Sequence, residues 1–258
     1  MKWSTEAERA MARVPFFVRH RVKRKVEEEA AGRGDSVVLF QHVRDCRRRY
    51  LDGMEHEVRG FQVETCFGPG GCPNRVTAEE GVAEMLEDLL RGKDLRGFLH
   101  RTVKGPLRLH HEFRISVSDC PNGCSRPQIA DVGLLGACRP TVLEADRCTR
   151  CGACAAACRE KAVSVADDVP VVDPALCLLC GQCTAHCPQG LLARGKQGFR
   201  IQLGGKLGRH PRLGRELEGV HSLEETLIVV ERCIDFYMKH CREGERFGEV
   251  LERVALEF

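Results

Sequence analysis

Apolar residues recur at helical spacing near both ends of the chain and alternate with polar ones between them. Val18, Val22 and Val26 stand four residues apart, which predicts a helix with one apolar stripe. Thr5-Glu6-Ala7-Glu8 before it reads as a capping box opening a short first helix. Val14-Pro15 ends that helix, because the residue before proline avoids helical angles, and Pro15 suits the first turn of the second. Gly32 and Gly34 close the second helix. Asp35 or Ser36 is placed to cap a third one, running to about Leu51 with Leu39, Val43, Cys46 and Tyr50 as its apolar positions. From Val58 the period drops to two. Phe61-Gln62-Val63-Glu64, residues 107–119 and residues 128–135 read as strands. Between the first two, Thr77-Ala78-Glu79-Glu80 reads as a capping box for a helix carrying Val82, Met85, Leu86, Leu89 and Leu90 on one face. Ser222-Leu223-Glu224-Glu225 caps another helix to about His240, and a last one covers about 247–255.

Cysteine usage changes the picture most. The chain has 258 residues and 16 cysteines. It shows no apolar run long enough to span a membrane. Its N-terminus turns polar at once, without the apolar stretch of a signal peptide. A cytoplasmic location is the default expectation, and there so many cysteines imply metal rather than disulfides. Twelve of them fall into ligand-like spacings: Cys66-x5-Cys72, Cys120-x3-Cys124, Cys148-x2-Cys151-x2-Cys154-x3-Cys158 and Cys177-x2-Cys180-x2-Cys183-x3-Cys187-Pro188. The first two pairs each follow a strand-like run, so their loops can bring four thiolates round one iron–sulfur cube. The last two runs have the spacing of bacterial two-cluster ferredoxins, in which the fourth cysteine of each run ligates the other cluster. One cluster then takes Cys148, Cys151, Cys154 and Cys187, and the other Cys177, Cys180, Cys183 and Cys158. Zinc can occupy a single C-x2-C pair, but two full runs of four argue against it. Cys46, Cys138, Cys233 and Cys241 match no ligand spacing and read as small buried apolar residues. Arg47-Arg48-Arg49 beside Cys46 is expected to lower its pKa.

Charge adds one feature. Residues 1–50 carry thirteen Lys and Arg against seven Asp and Glu, a surplus of six. That surplus is either a solvated helix face or a docking surface for an acidic partner or for tetrapyrrole carboxylates. No aromatic interleaving accompanies it, so nucleic acid is not expected.

The string Cys120-Pro121-Asn122-Gly123-Cys124-Ser125-Arg126-Pro127, preceded by Cys66-x5-Cys72, resembles the cluster motif of siroheme-dependent sulfite and nitrite reductases. The resemblance implies that Cys66, Cys72, Cys120 and Cys124 ligate a [4Fe–4S] cluster and that the Cys124 thiolate bridges to a siroheme iron. Residues 199–211, rich in Gly, Lys and Arg, resemble the segment that lies beside the siroheme in that family. Dissimilatory-type sulfite reductase subunits carry a similar ferredoxin insertion. Residues 3–50 resemble the small helical domain at the C-terminus of a light-independent protochlorophyllide reductase subunit, where it helps enclose a tetrapyrrole.

These resemblances imply an α+β chain in three parts: a helical module at 1–52, a sulfite/nitrite reductase domain at 53–140 and 194–258, and a ferredoxin insert at 141–193. The implied cofactors are three [4Fe–4S] clusters and a siroheme. Siroheme bears many carboxylates, and guanidinium groups pair carboxylates well. Arg75, Arg108, Arg114 and Arg200 are therefore expected to bind it. Arg126, Lys206 and Arg209 are expected to polarise the oxyanion and help deliver protons. The implied function is reduction of a small oxyanion such as sulfite, with electrons passed singly through the ferredoxin clusters. The alternative is a siroheme-free electron-transfer subunit with three clusters, serving a larger redox complex. A weaker reading, from the N-terminal segment alone, is a reductase acting on a tetrapyrrole. Partners follow from either main reading: a ferredoxin or redox-subunit donor, and a homo- or hetero-oligomeric assembly.

Overall fold

A computed structural model describes residues 1–143, 148–167 and 169–256. Its contacts divide the chain into two units, one of residues 1–58 with 105–110 and one of residues 59–104 with 111–258.

In the first unit a short strand, β1 (Lys2–Trp3), lies parallel to β2 (Val37–Val38). Around them stand α1 (Thr5–Ala12), α2 (Phe16–Gly32) and α3 (Phe40–Glu57). Ala7, Val26, Ala30 and Val38 form the core, with Trp3, Val22, Val43 and Cys46 packed against it. The first cap sits one residue earlier than the pattern predicts: Ser4 Oγ accepts from the Ala7 N–H at 3.3 Å. The third helix starts later, because Val37-Val38 pairs as strand first. Neither Asp35 nor Ser36 caps it. Instead His42 Nδ1 accepts from the Leu39 N–H at 3.1 Å, and the helix continues past Leu51 to Glu57. Leu39 and Tyr50, predicted apolar-facing, are exposed. Cys46 also departs from expectation. Packing against the core pushes its thiol pKa up, and desolvation outweighs the pull of Lys25.

The second unit is built on a five-stranded sheet in the order β3-β4-β5-β8-β9. β3 (Phe61–Thr65), β4 (Phe113–Ser118) and β5 (Val132–Val142) run parallel, and β8 (Leu192–Leu203) and β9 (Arg215–Glu216) extend the sheet antiparallel. The β3–β4 crossover carries α4 (Val82–Arg91) and α5 (Leu95–Thr102), and the chain ends in α8 (Leu223–His240) and α9 (Phe247–Arg253). α4 packs on β3, α8 on β8, and the two helices touch. Phe113 joins them to the sheet: its ring centroid is 5.4 Å from those of both Tyr237 and Phe247, and Phe98 is 5.4 Å from Tyr237. The buried Asp131 ties the end of the chain to the sheet, accepting from the Arg114 N–H at 2.9 Å and pairing with Arg246.

Three local elements differ from the pattern. Thr77 does not cap α4. Its Oγ accepts from the Glu79 N–H at 2.9 Å within a turn, and the helix begins after Gly81, in the left-handed region at φ 67°. Only Phe113–Ser118 of residues 107–119 is strand; residues 103–106 form a bend before it, and Leu109–His111 forms a 3-10 turn. Likewise Pro127–Ile129 is a 3-10 turn, and β5 starts at Val132.

Residues 143–191 are inserted between β5 and β8, whose ends Val142 and Leu192 are paired. The described part of the insert holds α6 (Ala153–Ala157), the antiparallel pair β6 (Val163–Ala166) and β7 (Val169–Val172), and α7 (Gln182–Ala185). Residues 144–147 at the start of the predicted insert, and 257–258 at the end of the predicted reductase domain, lie outside the described residues. Among the described residues no helix is long and apolar enough to cross a membrane.

Candidate iron–sulfur centres

β3 and β4 run parallel with Thr65 beside Val117, so the loops after them leave the same edge of the sheet. Cys66 is the first residue of one loop, and its N–H continues the ladder to the Val117 carbonyl at 3.0 Å. Its sulfur accepts from the N–H of Gly68 at 3.2 Å and of Asp119 at 3.3 Å. One thiol is thus held by both loops. Cys120 is buried and Cys124 exposed, the latter's sulfur taking the Asn122 side-chain N–H at 2.9 Å. Burial raises the Cys120 pKa, and neighbouring Cys124, Cys66 and Cys72 add to the rise. The four cysteines of the two pairs therefore stand as one group.

The insert gathers its cysteines crosswise. Cys148, Cys151, Cys154 and Cys187 line one small cavity. In the other group the Cys183 pKa is pushed up to about 11, by burial first and then by Cys177, Cys180 and Cys158. The two runs fold alike. Arg150 and Leu179 both take the left-handed region, at φ 56° and 61°. Gly152 and Gly181 follow at 69° and 68° and start α6 and α7. Such angles cost a non-glycine residue about 1–2 kcal/mol; their recurrence marks one turn built twice. Backbone N–H groups point at the sulfurs here too. Cys158 Sγ accepts from Ala162 at 3.2 Å. Burial works to raise the Cys187 pKa, but the N–H groups of Leu192, Gln189, Leu191 and Gly190 bring it below the usual thiol value.

Crowded, buried thiols suit a cationic cluster, which deprotonates its ligands outright and repays their repulsion. Among the described residues no three Cys, His, Asp or Glu side chains are arranged round a single metal ion. A cube offers four irons at its corners, so its ligands stand wider apart than those of one ion.

The cations are more dispersed. Arg114 and Arg126 line a cleft of about 50 Å³ with Glu64, Ser116, Ser125 and Leu207, beside the Cys124 loop. Arg114 is paired to Glu64 at 2.7 Å. Arg200 is paired to Glu216 at 2.7 Å and Lys206 to Glu249 at 2.5 Å. Arg75 Nε lies 3.0 Å from Asp119 Oδ2, without the alignment of a hydrogen bond. Arg126 and Arg209 are exposed. Arg108 groups with the first unit. Sequence spacing also passed over Cys138, fully buried on β5 against Val76 and Cys120.

Residues 60–258 match the family described as the nitrite and sulphite reductase 4Fe-4S domain, and residues 3–47 match that of the proto-chlorophyllide reductase 57 kD subunit. Over 192 residues, 74% of this chain, it is 29% identical to the coenzyme F420-dependent sulfite reductase of Methanocaldococcus jannaschii. Over 215 residues, again 74% of the chain, it is 28% identical to the dissimilatory-type sulfite reductase subunit alpha of Allochromatium vinosum. It spans 28% of the first relative's length and 49% of the second's. Among solved structures, dissimilatory sulfite reductase I superposes with a TM-score of 0.50 at 17% identity, over 80% of this chain and 55% of that one, which supports the α+β fold. With the family match covering the whole sheet unit and its paired cysteine loops, this chain belongs to the nitrite and sulphite reductase 4Fe-4S domain family.

Proposed function

We propose that this chain is a sulfite- or nitrite-reducing subunit that holds three [4Fe–4S] clusters and binds siroheme at Cys124. The observation that carries the reading is the convergence of twelve cysteines into three groups of four, one of them at the sheet edge with Cys124 exposed. Cys66, Cys72, Cys120 and Cys124 hold the cluster of the sheet. Cys148, Cys151, Cys154 and Cys187 hold one cluster of the insert, and Cys177, Cys180, Cys183 and Cys158 the other. N–H groups aimed at Cys66, Cys158 and Cys187 favour the reduced, more negative state of what they hold.

Siroheme, when bound, supplies the iron that takes the oxyanion and the conjugated ring that passes electrons to it. The chain's own residues would orient it. The cleft beside Cys124 is far below the ~300–1,000 Å³ of an enclosed ligand pocket, so the ring would lie on an open face. Arg126 offers a cation there. Arg114 and Lys206, in part-buried pairs, would have to exchange Glu64 and Glu249 for siroheme carboxylates. A second chain would cover the face, in line with the relative that is named as a subunit alpha.

A second reading rests on those same pairs. Arg75, Arg114, Arg200 and Lys206 already neighbour carboxylates of this chain, as suits an electron-transfer subunit without siroheme. One experiment separates the two. The protein is purified without oxygen and extracted with acidified acetone, and iron and sulfide are counted. An extractable siroheme band with iron above the about twelve atoms of three cubes is expected, and Arg126→Ala should lower the siroheme yield at unchanged sulfide. About twelve irons with no extractable tetrapyrrole would overturn the siroheme assignment in favour of the relay.

A further inference from the structure

We infer that electrons enter the sheet group from the Cys177/Cys180/Cys183/Cys158 side of the insert, across a seam made by Leu179, Cys180, Cys138, Val76 and Cys120. The inference rests on the reading of these cysteines as cluster ligands and adds the order of the two insert sites.

The seam is continuous. On the insert side, the Cys138 N–H donates to the Leu179 carbonyl at 2.7 Å, and Cys138 and Cys180 pair as an isolated parallel bridge. Gly181 closes the approach. A methyl group there would come 3.1 Å from Cys138 Cβ and 3.3 Å from its sulfur, so the turn that follows Cys180 presses on the Cys138 side chain. On the sheet side, Cys138 is buried in one cluster with Val76 and Cys120. The Val76 N–H donates to the Asp119 carbonyl at 2.8 Å, next to Cys120. From Cys180 to Cys120 the route therefore runs through covalent bonds, one short hydrogen bond and packed side chains. Electrons tunnel far better along such a path than across a gap.

The chain is bent to make this contact. The register of β5 against β8 shifts between Cys138 and Pro140; such bulges re-aim side chains. The Cys148/Cys151/Cys154/Cys187 group meets the sheet at the root of the insert, where Cys154 and Cys187 pack with Val142 and Leu192, the paired ends of β5 and β8, four residues beyond Cys138. Its cavity is lined by Val165, Pro170 and neighbours within the insert, and Cys138, Val76 and Cys120 are not among them. That site is then the outer one, which receives electrons from a one-electron donor of the ferredoxin class. Each crossing moves one electron: the inner insert site is oxidised by one, the sheet site is reduced by one, and no bond forms or breaks. Cys138 acts as a positioning residue, keeping the gap filled.

The test uses the iron-loaded full chain without oxygen. In partly reduced samples, electron paramagnetic resonance reads which insert site splits the signal of the sheet site; Cys180→Ser shifts the inner site's lines and identifies them. Splitting by the inner site is expected, and splitting by the Cys148/Cys151/Cys154/Cys187 site would overturn the order. Flash photoreduction then times the rise of the sheet-site signal. Cys138→Ala, with iron content and midpoint potentials unchanged, should slow that rise severalfold, and the better-filling Cys138→Val should recover most of it. Equal rates in all three proteins would overturn the seam. Should the alanine variant lose iron, the splitting in the unaltered chain and the rate in Cys138→Val still decide. None of these readouts needs siroheme or turnover. A protein that passes electrons as described but yields no siroheme counts against the proposed reductase function alone.

Discussion

In the sheet, the cysteines stand at the rim of a core that others fill. Phe98, Phe113, Tyr237 and Phe247 pack together behind β4, and Cys66, Cys72 and Cys124 lie in loops beyond the strand ends. In the insert, the cysteines are much of the core themselves. Cys154 and Cys183 are buried with Val163 and Leu192, and Cys158 and Cys187 pack against them. Among the described residues no aromatic ring takes part. One region can fold and then offer ligands. The other has little to bury until its ligands are joined, and its left-handed Arg150 and Leu179 must be held against their own preference.

Iron removal should separate the two most sharply. Stripping the clusters with a chelator under reducing conditions is expected to expose the amides of β6 and β7 to hydrogen exchange within the dead time. Amides of β4 and α8 should stay protected. Loss of protection throughout would show that the sheet also depends on metal. A smaller effect runs the opposite way. Phe113→Ala should cost about 3–5 kcal/mol, the range for a buried aromatic, lowering the sheet's denaturation midpoint. The visible absorption of the insert clusters should persist in native conditions. The smallest sharpens the comparison at one helix. Ser222→Ala removes the cap whose Oγ accepts from Glu225 at 3.1 Å and should cost about 1 kcal/mol. That loss should appear in the thermal midpoint of the sheet unit and leave cluster content alone.

What the sequence made legible follows the range of the interaction. The Ser222–Glu225 box is a contact over three residues, and α8 runs from Leu223 to His240 as the pattern predicts. The cysteine spacings are equally local, and they anticipate the crosswise grouping in the insert. Thr77-Ala78-Glu79-Glu80 carries the same letters, yet its threonine is buried and its turn leads to Gly81 instead of a helix. Tertiary burial decided there. The cation pocket was least legible. Glu64, Glu216 and Glu249, which pair Arg114, Arg200 and Lys206, lie 50, 16 and 43 residues away, so no window of sequence couples them. Cys138 gave no signal for the same reason: its neighbours Cys120 and Cys180 come from either side of it, and none shares its spacing.

The pairing of Val142 with Leu192 has an architectural consequence. Both ends of the insert leave the sheet as adjacent strands, so to the sheet the whole segment is a hairpin tip. Closing a longer loop between ends already together costs only slowly more entropy, about 0.6 kcal/mol per doubling of length. The insert is therefore interchangeable with a tight turn as far as the β5–β8 ladder is concerned. An engineer can treat it as a cartridge, removable or replaceable by another redox module, provided the new piece presents a partner to Cys138.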